Sequence, residues 1–170
     1  MTTESDPILG TLCFVVDDDE VLLIEKRRGL GAGWFNGPGG KREAGESARE
    51  CVIREVREEV GVDVDSPALE PAADLTFVLD GSPEIACRVF RTDRFSGEPR
   101  PSPEARPAWF SVDEVPYDRM WEDDRLWLPD VLAGRTAVGE FAFEGGAPLD
   151  EATFVDYELT WDVELPRELW

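Results

Sequence analysis

The chain has 170 residues, with 38 acidic against 17 basic side chains, a formal net charge of −21 and no histidine. This acidity argues against nucleic-acid polymers as partners, because their phosphates are bound through positive charge. Without histidine, His-activated nucleophiles and His metal ligands are excluded, so carboxylates must carry any acid–base or metal-binding chemistry.

The chain shows no repeat and no long linker, so we expect one domain over residues 1–170. It has no N-terminal signal and no apolar run of the roughly 18–20 residues that a membrane span needs, which predicts a cytoplasmic protein without a membrane partner. The cysteines lie in apolar segments without metal-binding spacing and are expected to be buried in a reducing compartment. We also expect a monomer.

The excess of acidic residues predicts a salt-rich cytosol, most simply that of a halophilic microbe. Self-repulsion weakens the compact state of such a protein. Molar salt screens that repulsion, since the Debye length is about 3 Å at 1 M. We therefore expect folding or activity to improve at molar KCl.

Short apolar runs predict the strands, in chain order, at residues 8–16, 21–24, 75–79, 85–90 and 108–110, with later strands at 137–143 and 153–163. Turns are expected at 17–19 and 80–83, and the proline-rich stretch 98–103 is interpreted as a surface loop that leads to Glu104. With one helix on each side of the sheet, the predicted fold class is α/β, an α/β/α sandwich with a mixed sheet.

The segment from Asn36 to Gly40 must turn sharply and let the backbone approach another group closely. It is not a Walker loop, because Phe35 stands at the first glycine position and Arg42 replaces the Ser or Thr that follows the lysine. A helix is predicted over 47–60, with Ser47 and Glu50 forming a capping box and Gly61 ending it.

Within this helix, Glu55, Glu58 and Glu59 are three and four positions apart, so their carboxylates lie on one side. Three like charges this close need a counter-ion. Mg²⁺ suits the position, since it prefers oxygen ligands and is commonly bound by carboxylates together with substrate phosphates. The alternative is an acidic helix face that is simply solvated.

The full pattern resembles the Nudix box. It comprises Gly40, five residues, Glu46, seven residues, Arg54-Glu55-Val56, one residue, Glu58-Glu59, one residue and Gly61-Val62. The resemblance implies hydrolysis of a nucleoside diphosphate linked to another group, with Mg²⁺ as cofactor and Mn²⁺ as a possible substitute. The implied catalytic residues are Glu46, Arg54, Glu55, Glu58 and Glu59, and the implied metal ligands are the Gly39 carbonyl, Glu55, Glu58, Glu59 and Glu104.

Residues 26–37, 106–110 and 120–124 further resemble the oxidised-purine nucleoside triphosphatases of this family, with similarity over about 11–165. Those enzymes convert 8-oxo-dGTP and 2-hydroxy-dATP to the monophosphate and pyrophosphate, which sanitises the nucleotide pool. The resemblance implies that Asp123, Asp124 and Asn36 bond the purine edge and that Trp121 stacks on the base. The implied substrate-binding residues are Thr11, Lys26, Asn36, Gly37, Gly39, Gly40, Lys41, Trp121, Asp123 and Asp124.

Two adjacent acids in a confined site are chemically suited to a purine, because one keeps its proton and the pair can donate and accept hydrogen bonds. The alternative is that Asp123 and Asp124 only cap the helix at 125–133. Leu30, Thr76 and Val78 stand where the resemblance leads us to expect pocket aromatics, which predicts a looser pocket.

Two hypotheses from different classes remain. The first is an Mg²⁺-dependent pyrophosphohydrolase acting on oxidised purine nucleotides, with ADP-ribose, dinucleoside polyphosphates or unmodified nucleotides as rival substrates. The second is a nucleotide-binding sensor without turnover. The intact glutamate pattern favours the enzyme.

Overall fold

The computed structural model describes residues 6–166 and Trp170 of the chain, and within them it contains ten strands and two α-helices. The helices are α1 (Ala48–Val60) and α2 (Asp124–Leu132). The strands are β1 (Ile8–Asp17), β2 (Glu20–Lys26), β3 (Phe35–Asn36), β4 (Asp63–Val64), β5 (Glu70–Leu79), β6 (Ser82–Thr92), β7 (Phe95–Ser96), β8 (Ala105–Ser111), β9 (Ala137–Glu144) and β10 (Thr153–Trp161). Every predicted strand and helix is present. In the region described, neither helix has the length and apolar character that crossing a membrane requires.

The main sheet is mixed and has the order β10-β9-β5-β6-β1-β2-β3, with β8 paired to β2. The pairs β1–β6 and β5–β9 are parallel, and the remaining pairs are antiparallel. A separate two-stranded ribbon joins β4 to β7. The predicted mixed sheet is confirmed.

The sheet separates two apolar cores, and β1 contributes to both. Cys13 and Val15 point to the side of α1 and pack with Val52 and Val56. Phe14, between them in sequence, points to the other side and packs with α2. This alternation follows from the two-residue period of a strand, and the predicted α/β/α sandwich is confirmed.

Strands β1 and β2 separate soon after their connecting turn, and residues 36–40, here called the glycine loop, fill the gap. They pair only at Val16–Val21 and Asp17–Glu20. Further along β1, the Thr11 amide donates to the Gly40 carbonyl at 2.9 Å and the Cys13 amide to the Pro38 carbonyl at 2.7 Å. The glycine loop is therefore held against the edge of β1 that β2 leaves unpaired.

Helix α1 begins one residue after Ser47, which is its N-cap, and ends at Val60 as predicted. Ser47 Oγ accepts from the Glu50 amide at 3.0 Å, and Glu50 Oε1 accepts from the Ser47 amide at 3.2 Å, which is the capping box. Gly61 adopts a left-handed φ of 71°, a conformation that glycine tolerates at little steric cost.

The hypothesis that Asp123 and Asp124 merely cap α2 is wrong. Asp123 occupies the N-cap position but has helical backbone angles, φ −72° and ψ −24°, and its side chain makes no capping hydrogen bond. Asp124 is already inside the first turn. Both side chains turn away from solvent, so their burial requires a different explanation.

Candidate active site

A cavity of about 210 Å³ opens between the glycine loop, the start of β1 and the start of α2. This is below the roughly 300–1,000 Å³ of typical ligand pockets, so it suits one part of a nucleotide, such as the base. The predicted substrate-binding residues that line it are Thr11, Lys26, Asn36, Gly37, Gly39, Gly40, Lys41, Trp121 and Asp124. Asp123 is completely buried behind this lining.

The two adjacent acids are the least expected feature of the cavity. Asp123 is 0% exposed and Asp124 is 3% exposed. Asp123 Oδ2 accepts a 2.9 Å hydrogen bond from the Trp127 indole nitrogen. Asp123 Oδ1 and Asp124 Oδ2 are buried without a hydrogen-bond partner in the described part of the chain. Buried polar atoms normally have hydrogen-bond partners, so these two oxygens are candidates for bonding a ligand.

The protonation of the pair follows from its surroundings. Burial raises the pKa of both carboxyls. The negative charge of Asp123 raises the pKa of Asp124 further, whereas the hydrogen bond from the Trp127 indole partly offsets the rise in the pKa of Asp123. Asp124 is therefore the acid that retains its proton, which makes it a potential donor at the cavity wall.

Aromatic side chains form the other walls. Trp121 is held edge-on by Trp34, with ring centroids 5.1 Å apart, and by Phe143, at 6.2 Å. Phe77 also lines the cavity and stacks on Phe141 at 5.6 Å. These contacts fix the orientation of the walls through packing between aromatic rings.

The expectation that Thr76 and Val78 form part of the pocket is wrong. Among the described residues, the cavity wall contributed by β5 is Phe77, an aromatic side chain, and Thr76 and Val78 flank it along the strand. Successive side chains in a strand alternate between faces, and Leu75, Phe77 and Leu79 share the face toward α2. That alternation was the signal that could have identified Phe77. Leu30 does line the cavity.

Glu59 connects the cavity to the carboxylate face of α1. Its side chain is buried, lines the cavity and accepts a 3.1 Å hydrogen bond from the Gly39 amide at Oε1. Burial raises its pKa to about 8, and the charges of Glu55 and Glu104 add to the rise. An acid in this position is stabilised in its ionised form by any cation that approaches.

Arg54 organises the remaining carboxylates. Its Nε and Nη2 bind Glu46 at 2.7 and 2.9 Å in a bidentate pair, which lowers the pKa of Glu46 to about 2. Its Nη1 binds Glu55 at 2.8 Å and Glu58 at 3.2 Å, and Nη2 reaches the Lys41 carbonyl at 3.2 Å. One guanidinium therefore ties α1 to the glycine loop and orients two of the predicted metal ligands.

The loop glycines allow this close approach. A Cβ at Gly39 would lie 2.0 Å from the Thr11 carbonyl oxygen, and one at Gly40 would lie 2.5 Å from Glu55 Cδ. Both distances are far inside van der Waals contact, so only glycine brings the loop between β1 and α1.

The predicted metal ligands form an oxygen-only donor set that fits a hard divalent cation. Glu59 takes part in no ion pair within residues 6–166, although it is a buried acid beside Glu55. Glu58 is turned toward Arg54, and Glu104 is paired with Arg28 at 2.9 Å. In the part of the chain described here, no three acidic or cysteine side chains already converge on one point. Metal binding by the full set stays a prediction.

Comparisons with known proteins agree on one family. A family model for the NUDIX domain matches residues 6–131. The oxidized purine nucleoside triphosphate hydrolase of Danio rerio is 42% identical over 138 residues, which cover 81% of this chain and 87% of that protein. The protein of the same name from Mus musculus is 38% identical over 152 residues, covering 89% and 93%. A solved MutT protein structure from Bacillus halodurans is 31% identical with a TM-score of 0.74, covering 89% and 97%.

Proposed function

The chain belongs to the NUDIX family, and from this membership we propose that it hydrolyses oxidised purine nucleoside triphosphates to the monophosphate and pyrophosphate. Two relatives named for this activity match most of the chain and most of their own lengths. The observation that carries the proposal is the buried pair Asp123 and Asp124, in which one oxygen of each carboxyl has no hydrogen-bond partner in the described structure.

In this proposal, the base enters the cavity and meets Asp124. An oxidised purine differs from the normal base mainly in its pattern of donors and acceptors, and a wall with one protonated and one ionised acid can match that pattern. Trp121 provides a stacking surface worth about 1–3 kcal/mol per base. Asn36, whose Oδ1 accepts from the Gly37 amide at 2.8 Å, keeps its amide nitrogen for the ligand.

The triphosphate is proposed to extend from the cavity along the glycine loop toward α1. Lys26 and Lys41 line that path and supply positive charge. Mg²⁺ would be held by Glu55, Glu58, Glu59, Glu104 and the Gly39 carbonyl. When bound there, it neutralises phosphoryl charge and lowers the pKa of its water. Arg54 acts as a positioning residue, because it orients Glu55 and Glu58 through hydrogen bonds.

We propose that the enzyme is a monomer and that it works in a cytoplasm rich in salt, as expected from its composition. Support comes from the net charge of −21, which favours solubility and needs screening. The three cysteines are buried and free, as expected for a reducing compartment.

A nucleotide panel with Mg²⁺ at molar KCl tests the proposal through release of pyrophosphate. The expected result is that 8-oxo-dGTP or 2-hydroxy-dATP is hydrolysed with a higher kcat/KM than dGTP, dATP, ADP-ribose or a dinucleoside polyphosphate. Higher kcat/KM with one of the latter would reject the oxidised-purine assignment. Nucleotide binding without hydrolysis of any member would instead support the sensor.

A further inference from the structure

Residues 145–152 connect β9 to β10 and form a strap beside the base cavity, outside the residues 6–131 that match the family model. Asp80 holds the base of the strap, because its two carboxylate oxygens accept from the Gly145 amide at 3.0 Å and the Gly146 amide at 2.9 Å. Near the far end, Leu149 is 5% exposed and lines the cavity. The strap is therefore a fixed part of the cavity wall.

The strap is also bonded to a distant loop. Asp150 Oδ2 accepts a 2.9 Å hydrogen bond from the Gly31 amide, across 119 positions of sequence. Gly31 belongs to the loop 27–34 between β2 and β3, which also places Leu30 and Trp34 in the cavity wall. Asp150 thus connects two cavity walls that are far apart in sequence.

Backbone hydrogen bonds close the loop at its ends, from the Gly33 amide to the Lys26 carbonyl at 2.7 Å and from the Lys26 amide to the Trp34 carbonyl at 3.0 Å, and the Asp150 bond adds a restraint at Gly31. Gly29, Gly31 and Gly33 all have positive φ, at 81°, 79° and 91°, and glycine at such positions leaves the backbone many alternatives. A Cβ at Gly31 would lie 3.2 Å from Trp121 Nε1, so the loop passes directly beside the proposed base-stacking residue. A small shift of the loop would move Leu30 and Trp34 and open space beside Trp121.

We propose that Asp150 is a positioning residue that sets the width of the base cavity, and through it the selectivity for oxidised over unmodified purines. The inference rests on the proposed function, since it concerns the same cavity. Without the Asp150 hydrogen bond, the loop retreats and binding of the correct base weakens, whereas the carboxylates on α1 are unaffected. Loss of the bond should therefore raise KM and lower selectivity, while kcat stays nearly unchanged.

Steady-state kinetics of three variants test this at molar KCl with Mg²⁺. Asp150→Ala should raise KM for the oxidised triphosphate about fivefold or more, with kcat within about twofold, and reduce its selectivity over the unmodified nucleotide by a similar factor. Asp150→Asn keeps an oxygen that can accept from the Gly31 amide and should restore most of the KM. Glu151→Ala, an exposed neighbour on the strap, should match the wild type.

Unchanged KM and selectivity in Asp150→Ala would overturn the proposal, and so would equal damage in Asp150→Asn. If Asp150→Ala does not fold, Asp150→Leu replaces it, because leucine keeps the branched shape but cannot accept from the Gly31 amide; the same loss of selectivity is expected, and a wild-type ratio there would also overturn the proposal. Failure of the proposed function is seen separately, in the wild type. If the wild type prefers another nucleotide, the same KM comparison with that nucleotide tests the role of Asp150 in holding the cavity.

Discussion

The indole nitrogen of Trp127 donates a 2.9 Å hydrogen bond to Asp123 Oδ2, four residues earlier on the same helix, and both side chains are fully buried. This bond satisfies one oxygen of Asp123 and leaves the other without a partner in the described structure. Trp127 therefore acts as the support for the acid pair, and Asp124 is the member that meets the cavity.

Replacing Asp124 should impair discrimination between bases more than it impairs hydrolysis. Asp124→Leu removes the carboxyl proton donor but keeps the branched shape of the side chain, whereas Asn would still donate through its amide. A buried polar group left without its partner costs about 1–3 kcal/mol, so selectivity for 8-oxo-dGTP over dGTP should fall about tenfold. Asp123→Asn should also lower the ratio. The ratio of kcat/KM values measures this, with Asp118→Asn as a control because that side chain is 99% exposed. Selectivity equal to that of the wild type in both variants would refute the base assignment.

The acid pair should also make stability depend on pH. Since burial raises the folded-state pKa of Asp123 and Asp124, the folded protein binds more protons than the unfolded chain above about pH 3.9. Their contribution to stability is therefore complete below that pH and is lost as pH rises through the raised folded-state values. At pH 8, Asp124→Asn should increase the free energy of unfolding by about 1 kcal/mol or more. Urea titrations at pH 5 and pH 8 in molar KCl measure the change, and a stabilisation that is larger at pH 5 would contradict it.

Removing the buried glutamate of α1 should stop turnover without unfolding the protein. Glu59→Gln retains the oxygen that accepts from the Gly39 amide but removes the negative charge proposed to bind Mg²⁺. We expect kcat to fall by about 100-fold or more, because even the outer-shell partners of metal ligands are typically worth about 10–100-fold in metal affinity or activity. Glu58→Gln should also inactivate the enzyme. Melting temperature and pyrophosphate release are compared with Glu140→Gln, an exposed control on β9. Full activity of both glutamine variants would show that the metal site lies elsewhere.

The glycine loop should tolerate no side chain at Gly39. Gly39→Ala would place a methyl group 2.0 Å from the Thr11 carbonyl oxygen, so either β1 or the loop must move. Overpacking of this kind costs about 1–3 kcal/mol, and the displaced loop should also reduce kcat. Gly10→Ala is the matched control, because its Cβ would lie 3.7 Å from the Gly40 carbonyl oxygen, an ordinary contact. Denaturation curves that coincide for the two variants would exclude the steric argument.

Salt should stabilise the protein over a wide range. With a net charge of −21, mutual repulsion is strong at low ionic strength and is screened within about 3 Å at 1 M. We expect the melting temperature to rise by several degrees between 0.1 and 2 M KCl, in line with about 4–8 °C per kcal/mol for small domains and less for larger ones. A neutral osmolyte at matched osmolality serves as control. A melting temperature that stays constant or decreases with KCl would rule out adaptation to salt.

The sequence was informative wherever a signal was local. Ser47, Glu50 and Gly61 predicted both ends of α1, because caps act within a few residues of the backbone they satisfy. Strands with clear apolar runs were found, whereas β3, β4 and β7 contain two residues each and are too short to show a period. Asp123 resembles an N-cap by position, and only tertiary burial reveals that it is not one.

Long-range contacts explain why other features of the site could not be predicted from the sequence. The sequence pointed to Thr76 and Val78 as pocket residues, whereas Phe77 between them lines the cavity. The register of the β5–β6 pair shifts at this point, between Phe77 and Val78. A shift of one position in a strand exchanges its faces, so a displaced assignment names the wrong pocket residues. Leu149 and Asp150 carry no local pattern that relates them to a loop more than a hundred residues away, and only the folded chain brings them together.

Because the sheet separates the two cores, base preference and hydrolytic chemistry can evolve separately. Side chains of α2, β5 and the strap can be exchanged on one side of the sheet while the glutamates of α1 keep their arrangement on the other. Among the described residues, the glycine loop beside Thr11 and the side chain of Glu59 join the two halves. A lineage can therefore acquire new nucleotides by altering one wall while its hydrolytic machinery is inherited intact.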